Sequence, residues 1–465
     1  MLPRMPLRSK LRAALIGCAL AGCFAGQVLT AHGAEMGVNV APTSGDYFTS
    51  AAVHAAIARL HPSWVRVFMG WNAAERANGV YDSAMLRNYR AFFAHLPAGT
   101  RVLLDVEGTP AWAAGGSTNI ATPPRDDQYF ARFVNHLANT FRGKVSAYEI
   151  GDEEDTPAYW SGTPAQYAAL LRAAYPAIKS ADPHATVIVG GLAGNDYQFL
   201  SELYAAGARG SFDAVGVHTD TACDVTAPTT FAFDRGTRTI NRYYFLGFTS
   251  VHATMAANGD GAKPIFMTEI GWSSITVTCP TGVWAGKKPA GVSAAVQARF
   301  LAAAYQCLAQ PRYAYVRAAL WFGLYDNGSG SDMNDNYGLL SVGLRPKPAF
   351  DAFLNLSGRR DRPNPSCGRL AGPRLRVIAP RAGQRYRRTL LVKVVALARS
   401  TPIAYVELHV GGRHILNFRL RPTVALGEIR WYGAGKLSRG RHAITLVAKA
   451  ANGTTTSRRI SVYHG

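Results

Sequence analysis

The sequence predicts an α/β protein: a (β/α)8 TIM barrel followed by an all-β, immunoglobulin-like sandwich. Three observations carry this. Between Met36 and Leu356, short apolar runs alternate eight times with helical stretches, the pattern of a closed parallel barrel rather than an open sheet. Beyond residue 373 the pattern changes to short runs with alternating apolar residues, separated by turn signals such as Gly411-Gly412 and Asn452-Gly453. Between the two parts lies a stretch dominated by Gly, Arg, Pro, Asn and Ser, which reads as a linker.

Four segments follow: a signal peptide over 1–34, a barrel over 36–357, a linker over 358–373 and a sandwich over 374–465. The barrel strands are expected at 37–40, 64–68, 101–106, 145–150, 186–189, 214–218, 264–268 and 318–321. The intervening helices include 127–141, 164–180 and 294–308. Seven sandwich strands are expected, at 375–379, 390–396, 404–410, 414–419, 427–431, 442–448 and 457–462.

Arg4, Arg8, Lys10 and Arg12 precede an apolar run from Ala13 to Gly22, a secretory pattern. Leu20-Ala21-Gly22-Cys23 also resembles a bacterial lipobox, which makes Cys23 a candidate lipid anchor. The competing reading is cleavage near Gly33 or Ala34 and free release. Both place the mature chain outside the cytoplasm. No later stretch is long and apolar enough to cross a bilayer.

Without Cys18 and Cys23, four cysteines remain, and an even number in an exported chain reads as two disulfides. Cys223 and Cys279 each follow a strand aimed at the same barrel face. Cys307 ends a helix, and Cys367 lies just past the barrel. The expected pairs are Cys223–Cys279 and Cys307–Cys367. No spacing resembles a zinc site, and neither a metal nor a cofactor is expected.

The net charge of +21 is uneven. Residues 359–465 hold 22 Lys and Arg against 3 acids, and the remainder is near balance. The sandwich therefore carries either a solvated basic surface or a site for an anionic polymer or surface: an acidic polysaccharide, a cell-wall polymer or lipid headgroups. No nucleic-acid module accompanies the charge. A monomer is expected.

The chemistry concentrates in two segments 116 residues apart: Tyr148-Glu149-Ile150-Gly151-Asp152-Glu153 and Phe266-Met267-Thr268-Glu269-Ile270-Gly271-Trp272. Each is an apolar strand delivering a glutamate at its C-terminal end, the end that faces the active site of such a barrel. Two converging carboxylates supply a proton donor and a nucleophile, the pair that glycoside cleavage needs. Ordinary strand-end ion pairs are the competing explanation.

These motifs resemble glycoside hydrolase clan A, in the manner of families 5 and 39, over about residues 36–357. The clan's fourth strand ends in Asn-Glu, with the glutamate as acid/base; here the run is Asp152-Glu153-Glu154. Its seventh strand ends in Thr-Glu-x-Gly, with the glutamate as nucleophile; Thr268-Glu269-Ile270-Gly271 matches. Arg66 resembles the arginine beneath the nucleophile, Thr109 to Ala113 the segment after the third strand, His218 the sixth-strand histidine and Trp321 the eighth-strand tryptophan.

The resemblance implies catalysis by Glu153 and Glu269, with Arg66, Trp112, Asp152, His218, Asp220, Trp272 and Trp321 around the sugar. Two positions depart from the clan. Asp152 replaces the asparagine that contacts the sugar 2-hydroxyl, and Asp220 replaces a tyrosine. An aspartate accepts a hydrogen bond from a hydroxyl but does not donate one as an amide does. The expected activity is retaining hydrolysis of a polysaccharide by double displacement. A non-catalytic carbohydrate-binding or surface-adhesion protein on the same barrel is the alternative. Trp71, Trp112, Trp160, Trp272 and Trp321 all follow strand ends, where aromatic faces can meet sugar rings. Trp64 and Trp431 read as core.

Overall fold

The computed structural model describes residues 33–40, 48–220, 223, 225–234, 239–280, 285–327, 332–357, 363–364, 367–368, 372–397, 403–421, 425–450 and 454–465, the side chain of Asp220 excepted. Cys23, nearly all of the expected signal segment and most of the expected linker lie outside the described residues.

The first part of the chain alternates strand and helix eight times: β1 Glu35–Asn39, α1 Ala51–Leu60, β2 Trp64–Gly70, α2 Ser83–His95, β3 Arg101–Glu107, α3 Asp127–Thr140, β4 Val145–Asp152, α4 Pro164–Ala181, β5 Thr186–Leu192, α5 Tyr197–Ala205, β6 Ala214–Asp220, α6 Phe248–Ala257, β7 Ile265–Gly271, α7 Ala294–Leu308, β8 Val316–Trp321 and α8 Pro348–Ser357. The strands run parallel, and β1 pairs with both β2 and β8, which closes the barrel.

Local chemistry starts these helices. Ser50, Asp82, Asp126, Asp196 and Ser293 each accept a backbone N–H from the first turn that follows. Thr163 and Gln166 form a capping box at α4, with Pro164 in the first turn. Two disulfides staple the barrel. Cys223–Cys279 joins the loops after β6 and β7 at a Cα separation of 5.5 Å, and Cys307–Cys367 ties α7 to the segment beyond α8 at 5.3 Å.

Every second strand residue points into the barrel. The lower inward layer is apolar, with Trp64, Leu103, Ala147, Ile188, Ala214 and Phe266 packing beside Ala318 and Leu320. Two residues further along β2, β3 and β4 stand Arg66, Asp105 and Glu149, all fully buried. The barrel interior thus changes within one layer from hydrocarbon to charge, toward the C-terminal ends of the strands.

The second part is all β, in two sheets. Strands β9 Arg374–Ala379, β11 Leu390–Leu397 and β14 Leu426–Trp431 form one, in the order β9-β11-β14. The other contains β10 Arg385–Tyr386, β12 Ile403–Val410, β13 Arg413–Phe418, β15 Gly440–Ala450 and β16 Thr455–His464, in the order β10-β16-β15-β12-β13. Val392, Val394, Leu408, Leu446 and Trp431 belong to one core cluster, consistent with a β sandwich. The two-residue β10 is a strand the sequence pattern did not indicate, because two residues show no periodicity.

Candidate active site

Two backbone irregularities aim the acids. Simple alternation from Ala147 and Glu149 would send Gly151 inward and Asp152 outward. Gly151 has φ +82, and beyond it Asp152 turns in to meet Arg66. A side chain at Gly151 would collide with Glu154, since a Cβ there would lie 1.7 Å from Oε1. In β7, Met267 pairs with Val217 and Glu269 with His218, so Thr268 is one residue extra. Such a bulge re-aims the following side chain, and here it points Glu269 into the barrel.

Arg66 is the hub. Its Nε donates to Glu149 at 2.6 Å, Nη1 to Glu269 at 2.5 Å and to Asn39 at 3.2 Å, and Nη2 to Asp152 at 2.7 Å and to Asp105 at 3.1 Å. Burial opposes its charge, but the four carboxylates outweigh burial and hold its pKa above the ordinary value. Asn39 is fixed in turn, because its amide donates to the carbonyls of Thr268 and Trp321. For Asp105 and Glu149, burial is the largest influence and raises the pKa despite Arg66.

His218 joins the two glutamates that the sequence singled out. Its Nδ1 lies 2.9 Å from Glu153 Oε1 and 3.7 Å from Glu269 Oε2, while Nε2 lies 3.7 Å from Asp152 Oδ1. One nitrogen thus sees both carboxylates, and their nearest oxygens are closer than the sum of those two distances. Burial disfavours the imidazolium, yet Glu269, the hydrogen bond to Glu153 and the charge of Asp152 hold the His218 pKa well above its usual value. Gly191 makes room for the ring: a Cβ there would sit 1.9 Å from Nε2.

Glu153 and Glu154 differ sharply. Glu153 has a left-handed backbone, φ +58, which costs a non-glycine residue about 1–2 kcal/mol. Its N–H donates to Gly191 O at 3.2 Å, and its carbonyl accepts from Thr156. Its side chain is 24% exposed. Glu154 is buried; its Oε1 accepts from the Asp152 N–H at 2.8 Å, and burial, then Asp152, push its pKa well up.

Glu107, Tyr159 and Arg242 escaped sequence reasoning. Glu107, half-buried at the end of β3, has its pKa raised to about 7, by burial first and the charge of Asp152 second. Glu107, Glu154, Tyr159 and Trp160 line a cavity of about 20 Å³, wide enough for one water molecule. Tyr159 is 39% exposed; burial first, then the charges of Asp152, Glu153, Glu107 and Glu269, raise the pKa of its hydroxyl. Asp155 accepts from Ala193 N–H and pairs with Arg242, which also holds Asp196 and so ties the loop after β4 to that after β5. Burial, then Glu153 against these partners, raises the Asp155 pKa to about 6.

Two trios offer one ligand atom each within 4.8 Å of one another: Asp152, His218 and Glu269, and Asp105, Glu107 and Asp152. Arg66 already serves three of these carboxylates.

Packing and backbone hydrogen bonds hold Trp272, Trp321 and Trp112. Trp272 and Trp321 are fully buried, tilted against each other at 6.1 Å, and donate their indole N–H groups to the carbonyls of Thr226 and Tyr337. Neither presents an exposed face. Trp112 is half-buried, packs edge-on to Trp71 and Tyr129, and donates to Glu75 O. Asp220 ends β6 beside Gly271 in register; its side chain lies outside the described residues.

A family model, cellulase (glycosyl hydrolase family 5), matches residues 29–283, more than half of the chain. Among solved structures, a family 39 glycoside hydrolase from the gut symbiont Bacteroides cellulosilyticus WH2 is similar with a TM-score of 0.55 and 16% identity, over 86% of this chain and 79% of that one. GH5_18 from Streptomyces cattleya, solved in complex with GlcNAc, is similar with a TM-score of 0.51 and 18% identity, over 76% and 83% of the two chains. At these identities the likeness is one of fold. No curated protein matches the chain.

Proposed function

The chain belongs to glycosyl hydrolase family 5, and on that premise we propose that this glycosidase is an exported enzyme that cleaves a polysaccharide with retention of configuration. The observation that carries the reading is the convergence of Glu153 and Glu269 on one nitrogen of His218. Retaining enzymes hold their carboxyls about 5–5.5 Å apart, whereas inverting enzymes leave room for a water between them.

Glu269 is the nucleophile. Arg66 donates to Oε1, which orients Oε2 toward His218 and the space above. Attack at the anomeric carbon forms the glycosyl ester and breaks the glycosidic bond. Glu153 gives its proton to the departing oxygen, then takes one from the water that cleaves the ester. Its Oε1 is committed to His218, and Oε2 makes no hydrogen bond among the described residues. His218 stands between the two acids, with Asp152 Oδ1 3.7 Å from its Nε2, and Tyr159 is an exposed aromatic on the cavity wall beside Glu107. Export rests on the basic-apolar N-terminus and on two disulfides, which form in oxidising compartments. The basic C-terminal part serves attachment to an anionic polymer.

The test is Glu269→Ala with and without azide. Hydrolysis should disappear and return in part as a glycosyl azide of inverted configuration. Glu153→Gln should slow poor leaving groups far more than activated aryl glycosides. Wild-type turnover by Glu269→Ala would remove the nucleophile and the mechanism together.

A further inference from the structure

We propose that the sugar at the reacting position carries a free 2-amino group, bound as an ammonium by Asp152 and Glu107, so that the substrate is a glucosamine-type polysaccharide. The inference rests on the retaining reading above, which fixes the anomeric carbon beside Glu269.

Seven carboxyls crowd around two cations, and some of their oxygens are left without a donor. Asp105, Glu107, Glu149, Asp152, Glu153, Glu154 and Glu269 surround Arg66 and His218. Arg66 has given all three nitrogens to Asp105, Glu149, Asp152, Glu269 and Asn39. Two buried carboxyl oxygens are left without a hydrogen-bond partner. Asp105 Oδ1 is buried without a partner, in the trio it forms with Glu107 and Asp152. Glu154 Oε2 is buried without a partner on the wall that Glu107 shares. Asp152, with its side chain 9% exposed, binds Arg66 and approaches His218 through Oδ1 alone.

Position makes this a statement about substrate. Asp152 belongs to both trios, one with Glu269 and His218 and one with Glu107 and Asp105. It therefore neighbours both the nucleophile and the pair Glu107 and Asp105. Carbon 2 is one bond from the carbon that Glu269 attacks, at a reacting distance of about 3–3.5 Å, so its substituent falls beside the nucleophile's neighbour.

A hydroxyl there donates one hydrogen bond and leaves the charge. An ammonium donates three and cancels one negative charge where the dielectric is low. Burial and Asp152 raise the Glu107 pKa to about 7, so this group gains from an arriving cation near neutral pH. A uronate carboxylate meets repulsion at the same place.

The experiment compares kcat/KM for a β-1,4-glucosamine hexamer, its N-acetylated counterpart and cellohexaose, near neutral pH, where Glu107 is partly ionised and a sugar amine keeps part of its charge, with and without chelator. The glucosamine hexamer should be preferred by about tenfold or more, the worth of one charge-assisted hydrogen bond. Glu107→Gln should shrink that ratio about tenfold, and added salt should raise KM for the amine most steeply in the unmutated protein.

Cleavage that depends on Glu269 but shows no preference for the amine overturns the proposal and leaves the glycosidase intact. Activity lost to chelator and restored by calcium overturns it in favour of a metal in the trio. Absence of Glu269-dependent cleavage on these and on neutral mannans and glucans overturns both readings.

Discussion

Replacing Arg66 by lysine keeps one positive charge beneath the site but changes its shape. The guanidinium reaches Glu149, Asn39, Glu269, Asp105 and Asp152 from three nitrogens, at distances from 2.5 to 3.2 Å. An ammonium has three donors on a single atom, so at least two of these five buried acceptors lose their partner. Each such loss costs about 1–3 kcal/mol, more where the acceptor is charged, which places the total at about 2–6 kcal/mol. Two oxygens nearby, Asp105 Oδ1 and Glu149 Oε1, already lack partners, so there is little slack to absorb more.

Glu269 also loses the donor that fixes Oε1. A misplacement of about 1 Å in a reacting group costs on the order of 100-fold in rate. The assay is urea unfolding followed by tryptophan fluorescence, which reports the barrel because seven of the eight tryptophans precede residue 358, together with kcat at saturation. A clearly lower midpoint and a kcat reduced about 100-fold are expected. A wild-type midpoint and kcat in Arg66→Lys would show that the carboxylates need no fork-shaped donor, and the account of the hub would fail.

Gly191→Ala places a Cβ 1.9 Å from His218 Nε2, so the ring must move; stability should drop about 1–3 kcal/mol, with kcat falling although neither glutamate is touched. Glu107 holds a proton in the fold that the unfolded chain has released between its ordinary pKa and about 7, so its contribution is full below that window and lost above it. Glu107→Gln should therefore gain stability relative to wild type as pH rises from roughly 5 to 8, seen in denaturation midpoints at the two pH values. Removing Cys307–Cys367 with paired alanines opens a loop of 60 residues and should cost on the order of 4 kcal/mol in the chain-entropy model, measured by the urea midpoint in the absence of reductant.

The barrel was legible because parallel strands are buried on both faces and read as continuous apolar runs, as in Val-Leu-Leu of β3 and Val-Ile-Val of β5. Glu153 and Glu269 stood out because turn residues and tryptophans follow them. Asp105 and Glu149 did not, although each is an acid flanked by apolar strand residues, where it needs a buried cation. Counting two residues from Leu103 and Ala147 finds them, and the same step from Trp64 finds Arg66. Tyr159 and Arg242 lie in loops, which have no periodicity to read. The burial of Trp272 and Trp321 depends on cover from Phe300 and Tyr337, far along the chain, and strand-end position alone does not reveal it. The direction of Asp152 depends on one glycine dihedral, which no pattern of apolar residues encodes.

The acidic cleft and the basic C-terminal part make opposite demands on a polymer, and this yields the last prediction. Residues 359–465 carry 22 basic against 3 acidic residues. On the five-stranded sheet, Arg441 and Arg459 flank Ala443 and Ser461 around an open depression, and Arg441 donates to Ser461. Such a surface attracts carboxylates, phosphates or sulfates over roughly a Debye length of 8–10 Å. The carboxylates about Arg66 repel the same groups. One anionic polymer cannot satisfy both, so what the enzyme holds and what it cuts should be different polymers. The full-length chain should be retained on polygalacturonate at low salt and released as salt rises, while leaving that polymer uncut. Arg441→Glu with Arg459→Glu should weaken retention without changing turnover. Equal retention on polygalacturonate and on a neutral glucan would refute the electrostatic account, and cleavage of the polymer that retains the chain would refute the division of labour.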